Sequence, residues 1–262
     1  MIVFAAITPH SPLLIPSIGK ENFEVIKKTL AALQRLSDEL YVSKPDAVVV
    51  MSFSPSQHND AFSVNFSNKY KIGFKDFGDV STKAVFEADT DLVAQIQKHA
   101  KTEKIPFTLD SHEFLDYGAG VPLYILAKNL NCKIVPLNFS GLDPREQYRF
   151  GVVLKEVFDS SNKRIAVIAS GDMSHCLTTK SPLGLKTEGK QYDEAVQDAI
   201  KNFSLSTLLN MDQNLIRNSG QCMYEQILML FGILEKKNVR PEILSYEFPF
   251  GVGYLVAQFH FL

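Results

Sequence analysis

The sequence is poor in cysteine: three residues, Cys132, Cys176 and Cys222, far apart and odd in number. That excludes a disulfide framework and fits a reducing, cytoplasmic setting. No apolar run approaches the ~20 residues that cross a bilayer. The start, MIVFAAITPHSP, lacks the basic stretch of a signal peptide, so no membrane partner is expected. An excess of either charge is also missing. The formal net charge is -2, with 27 basic and 29 acidic residues spread along the chain, which excludes a basic face for nucleic acid. CxxC, HExxH and GxSxG are absent, and the GAG and GVG clusters lack the strand-turn-helix glycine pattern of a nucleotide site.

What is present is the composition of a globular protein. The hydrophobic fraction is 45% over 262 residues, enough for one domain with a sizeable core. Strands are expected over 2–7, 47–51, 61–66, 106–109, 133–137, 164–169, 243–247 and 254–261. Helices are expected over 21–42, 90–100, 121–130, 144–158, 192–201, 205–210 and 222–236. Helical spacing of apolar residues and short unbroken apolar runs carry these assignments. Their alternation implies an α/β fold of three layers, α/β/α, with a mostly parallel central sheet and a single domain over 1–262.

In such sheets ligands bind beyond the C-terminal ends of strands. Polar segments follow three strands: His10 after the first, SFSPSQHND (52–60) after the second, and SGDMSH (170–175) after the strand at 164–169. Each carries one histidine, and neutral imidazole is the commonest transition-metal ligand. Three histidines, His10, His58 and His175, are thus candidates to converge at one sheet edge, against the plainer reading of each as an ordinary loop residue. Asp172 is read either as a residue that orients His175 or as a turn former. His99, His112 and His260 are read as solvated or packing residues. Phe53, Phe114, Tyr117 and Phe250 are candidates for the walls of an aromatic site.

TPHSPLLIPSIG, LDYGAGVPLYIL, ASGDMSHCL and SYEFPFGVGYLVA stand here in the order and spacing of LigB-like proteins, the class III extradiol dioxygenases, and the chain resembles that family from end to end. The resemblance implies a non-haem Fe(II) site of two histidines and a glutamate, with a further histidine as acid/base, and a small-molecule substrate of the aromatic diol type. Carried over, His10 matches the first metal histidine and His175 the acid/base histidine. Tyr117 takes the place of a supporting histidine, in DYG, and is carried as a second candidate catalytic residue. Ser54 stands near the second metal histidine's position. Gln221, in Gln221-Cys222-Met223, stands where the family carries its acidic ligand, and an amide brings no charge to offset Fe(II).

Memo-like proteins of the same superfamily carry Pro-Ser-His-His where this chain has PSQH, and two histidines and a cysteine at their metal site. By that likeness His10, His58 and Cys222 form the ligand triad, with a thiolate supplying the charge. The plainer reading of Cys222 is a small buried hydrophobe. Three functions therefore stand open: a LigB-type oxidoreductase, a metal-poor pseudoenzyme that keeps the pocket, and a Memo-like binding or redox protein. A homodimer is the default assembly.

Overall fold

The computed structural model describes residues 1–54 and 57–262. Pro55 and Ser56, within the PSQH stretch, lie outside the described residues. Among the described residues ten strands are seen: β1 (Ile2–Thr8), β2 (Ala47–Ser52), β3 (Phe62–Asn65), β4 (Lys69–Phe74), β5 (Asp79–Glu87), β6 (Phe107–Asp110), β7 (Lys133–Asn138), β8 (Ile165–Ser170), β9 (Val239–Glu247) and β10 (Tyr254–Phe261). The main sheet has eight strands in the order β6-β3-β7-β2-β8-β1-β10-β9, and β4 and β5 form a separate hairpin. The centre, β7-β2-β8-β1, is parallel throughout, and β10 and β9 run antiparallel beyond it.

Helices cover both faces, as expected of a parallel sheet. The two faces are covered by α1 (Lys27–Ser43), α2 (Thr90–Thr102), α3 (Tyr117–Leu126), α4 (Pro144–Ser160), α5 (Thr187–Lys201) and α6 (Tyr224–Ile233). Helices α2, α4, α5 and α6 share a core with Ala47, Val49 and Met51 of β2, while α1, α3 and the hairpin share a second core with Val48 and Val50. Side chains alternate across the pleat, so the unbroken apolar run of β2 supplies both cores. The three-layer α/β/α architecture is that expected from the sequence.

Helices α4 and α6 approach backbone to backbone. A Cβ on Gly151 would lie 2.1 Å from the Met229 carbonyl oxygen, and one on Gly232 would lie 2.2 Å from that of Tyr148. Among the described residues no helix is long and apolar enough to cross a membrane.

Several elements differ from the sequence reading. The hairpin β4–β5 is unforeseen, because the exposed side of β5 breaks the apolar alternation. The helix expected over 121–130 begins at Tyr117, capped by Asp116, whose Oδ1 accepts the Gly118 and Ala119 amides. The helix expected from 222 begins at Tyr224. The stretch 20–26 is a 3-10 helix rather than the start of α1.

Candidate functional site

A cavity of about 430 Å³ opens where β1, β2 and β8 end. His10 follows β1 by two residues, Phe53 follows β2 directly, and Tyr117 begins α3. The segment Gly171–His175 leaves β8, and Cys222 sits in the turn before α6. All five elements send side chains to its wall: His10, Phe53, Tyr117, Asp172, His175 and Cys222, joined by Phe77 and Tyr254.

Main-chain bonds fix these segments to one another. The Gly171 amide donates to the Thr8 carbonyl at 3.0 Å, tying the β8 loop to β1. The Cys222 amide donates to the Asp172 carbonyl at 3.1 Å, and the Asp172 amide approaches Cys222 Sγ at 3.3 Å. This mutual contact requires a bare Cα at 171, because a Cβ there would lie 2.4 Å from the Cys222 carbonyl oxygen. The next residues are pinned from three sides. Met173 donates to Gly253, His175 to Ser219, and the Ser174 amide to Asp193 Oδ1.

His10 is the centre of the site. Its amide donates to Asp172 Oδ1 at 3.1 Å. Its Nε2 lies 3.3 Å from Cys222 Sγ and 3.8 Å from Asp172 Oδ2. Phe53 and Tyr117 stand edge-on to the imidazole at centroid distances of 5.3 and 5.4 Å, and Phe77 packs on Tyr117. Burial holds the His10 pKa down to about 3, so the ring is neutral at ordinary pH. Burial also pushes the Asp172 carboxyl up to about 6, opposed by the charge of His175. The Cys222 thiol is driven far upward, first by burial and then by the charge of Asp172, and stays protonated. Tyr117 is raised for the same reason, burial first. The site thus sets a neutral imidazole, a thiol and a phenol around the Asp172 carboxyl, behind aromatic walls. The Nδ1 atoms of His10 and His175 are buried with no hydrogen-bond partner.

The structure brings together His10, His175, Tyr117 and Cys222 from the sequence candidates. It does not bring His58 to them. His58 Nε2 is 3.0 Å from Asp110 Oδ1, at the end of β6, and its carbonyl accepts from Gly141 after β7. β6 is five positions from β1 in the sheet, about 24 Å at the usual strand spacing. Gln221 is also spent elsewhere. Its Oε1 accepts the Met223 and Tyr224 amides, both at 2.6 Å, and so caps α6. Of the four aromatics named from sequence, Phe53 and Tyr117 line this cavity. Phe114 is 59% exposed with Lys71 above its ring, and Phe250 packs on Tyr254. Asp172 emerges as the partner of His10 as well as the neighbour of His175. Phe77 carried no sequence signal, and Tyr254 stood within the SYEFPFGVGYLVA motif without being named a site residue.

These residues depart from the iron site that the family resemblance implies. His10 is present, but serine stands near the second metal histidine's position and the acidic position is a helix-capping amide; the other histidine and the carboxylate in the cavity are His175 and Asp172. The His10, His58, Cys222 alternative likewise lacks His58. Among the described residues, no group of three or more His, Cys, Asp or Glu side chains is placed to hold a metal ion.

Comparison with known proteins agrees with the architecture. Protein CA_C1420 of Clostridium acetobutylicum is 28% identical, and the alignment covers 95% of this chain and 56% of that protein. The chain thus spans about half the length of this curated relative. The crystal structure of uncharacterized protein JW3007 from Escherichia coli K12 superposes with a TM-score of 0.64 at 16% identity, covering 98% of this chain and 99% of that one, a likeness of fold. Residues 4–257 match the family described as the catalytic LigB subunit of aromatic ring-opening dioxygenase, and the chain belongs to that family.

Proposed function

We propose that this LigB-family domain binds a small aromatic molecule, a phenol or diol, in the His10 cavity, and that iron-dependent ring opening is not its activity. One observation carries the reading. Gln221, at the position of the acidic ligand, is committed to the α6 amides, and His58, the histidine nearest the serine at the second histidine's position, is committed to Asp110, while the aromatic walls and the His10–Asp172–Cys222 set stay together. Losing even one metal ligand costs orders of magnitude in a metalloenzyme. Ligand binding needs only shape, apolar walls and a few placed polar groups.

The chemistry of the site suits a phenolic hydroxyl. Neutral His10 can give or take a hydrogen bond, and the Asp172 carboxylate can accept one. The phenol of Tyr117 and the thiol of Cys222 are held protonated and act as donors. The ligand ring would meet Phe53, Tyr117 and Phe77 edge-on or offset, as aromatic groups prefer.

A second reading rests on the 3.3 Å contact of Cys222 Sγ with His10 Nε2, which pairs a thiol and an imidazole as a soft metal would require. It needs further donors, and Asp172, 3.8 Å from His10 Nε2, and His175 line the same cavity. One experiment separates the two. Protein in chelator is titrated with catechol and phenol by calorimetry, then loaded anaerobically with Fe(II), desalted and exposed to O2 with catechol. Saturable metal-free binding, with iron lost on desalting and no O2 uptake, is expected. Iron retained at about one per chain with O2-dependent ring-opened product would overturn the proposal.

A further inference from the structure

A different cavity, of about 570 Å³, lies where the loop after β7 meets the N-terminal ends of α4 and α6. The turn that gives Cys222 to the first cavity gives Tyr224 and Glu225 to this one. Its polar lining consists of acceptors and amides: Asp143, Gln147, Gln213 and Glu225. No lysine, arginine or histidine is among the lining residues.

One acceptor there is unmatched, and one carboxylate has no cationic partner. Gln147 is 0% exposed, and its side-chain amide is half used. The Nε2 group donates to the Ser140 carbonyl, Ser140 Oγ and the Leu142 carbonyl at 2.9 to 3.1 Å, while Oε1 has no partner. A buried acceptor without a hydrogen bond is destabilising, so such atoms in native proteins are mostly met by a protein group, water or a ligand. Glu225 lines the same cavity with a largely buried carboxylate. Burial raises its pKa, and only its own amide and the Gln221 side chain act against that; no cationic group takes part. Helix N-termini attract anions in general, but here both ends are already capped, α4 by Asp143 Oδ1 and α6 by Gln221 Oε1. What the site lacks is a donor that carries positive charge.

We propose that this cavity binds a small organic cation through an alkylammonium group, which donates hydrogen bonds to Gln147 Oε1 and the Glu225 carboxylate. The volume is that of a small-molecule site. An ammonium brings three donors and a compensating charge, and so satisfies an unpaired acceptor and a buried carboxylate at once. The inference does not depend on what the His10 cavity binds.

The probe is n-butylamine at neutral pH, where it is cationic, with n-butanol as the uncharged control of similar shape. Both are titrated into the intact chain while amide and side-chain NH2 resonances are followed by NMR. Expected is a saturable response to n-butylamine at the Glu225 amide and the Gln147 side chain, with n-butanol producing none. Glu225→Gln, close in shape, should weaken the n-butylamine response at least tenfold. Gln147→Leu should weaken it severalfold. Equal responses to amine and alcohol in the wild-type chain would overturn the proposal without recourse to any variant. So would an n-butylamine response that survives Glu225→Gln unchanged.

Discussion

Replacing His10 with glutamine should remove a specific part of the protein's acid sensitivity. Burial lowers the His10 pKa from 6.5 to about 3. The unfolded chain takes up this proton below pH 6.5, and the folded chain does not until about pH 3. The folded pKa is depressed, so the contribution to stability is complete above 6.5 and is lost as pH falls from 6.5 toward 3. At pH 5 the loss is RT ln(1 + 10^1.5), about 2 kcal/mol, against about 0.2 kcal/mol at pH 7. Asp172 tilts the other way, because its raised pKa makes the protein more stable at lower pH. The wild-type curve alone therefore mixes opposite slopes, and the difference between wild type and variant isolates His10. Urea unfolding at pH 7 and pH 5, at fixed ionic strength, should show the drop in stability to be about 2 kcal/mol larger in wild type than in His10→Gln. An equal drop in the two proteins would refute the neutral, desolvated imidazole on which the site's chemistry rests.

Other outcomes follow from the same geometry. Asp172→Asn keeps an acceptor for the His10 amide and removes a carboxyl raised from 3.8 to about 6. Since a raised acid costs stability as pH climbs from 3.8 through 6, the variant should gain up to about 3 kcal/mol relative to wild type between pH 4 and pH 7, read by denaturant titration. Gly151→Ala places a methyl 2.1 Å from the Met229 carbonyl oxygen and should destabilise by about 1–3 kcal/mol or more, seen as a lowered Tm. His58→Ala breaks a partly exposed contact with Asp110. It should change stability by about 1 kcal/mol at most and leave catechol binding in the His10 cavity unaltered by calorimetry; weakened binding would place His58 in the site after all.

The architecture was legible because the central strands obey one rule. Val48, Val49 and Val50 are buried on both faces, so β2 reads as a continuous apolar run, and the same holds for Ile165 to Ala169 of β8. His10 and His175 could be placed at one sheet edge from the sequence because both lie in segments that leave parallel strands. The hairpin β4–β5 was not, since Val80 and Val85 face solvent there and blur its period of two. His58 shows where residue type stops being informative. Its position after β2 matches that of His10 after β1, but the chain turns toward β3 and β6, where Asp110 meets it. Gln221 illustrates the converse. Its role as a cap depends on the backbone of Met223 and Tyr224, which no motif reveals. Phe77 reaches the cavity from the turn between β4 and β5, and only the tertiary arrangement of that hairpin discloses it.

Diffraction at the iron edge, from crystals grown with Fe(II) and catechol under anaerobic conditions, bears most directly on the proposed activity. Catechol density against His10, Asp172 and Cys222 with no anomalous peak in the cavity is the predicted result. An iron peak bonded to His10, with His58 swung away from Asp110 to join it, would contradict the account.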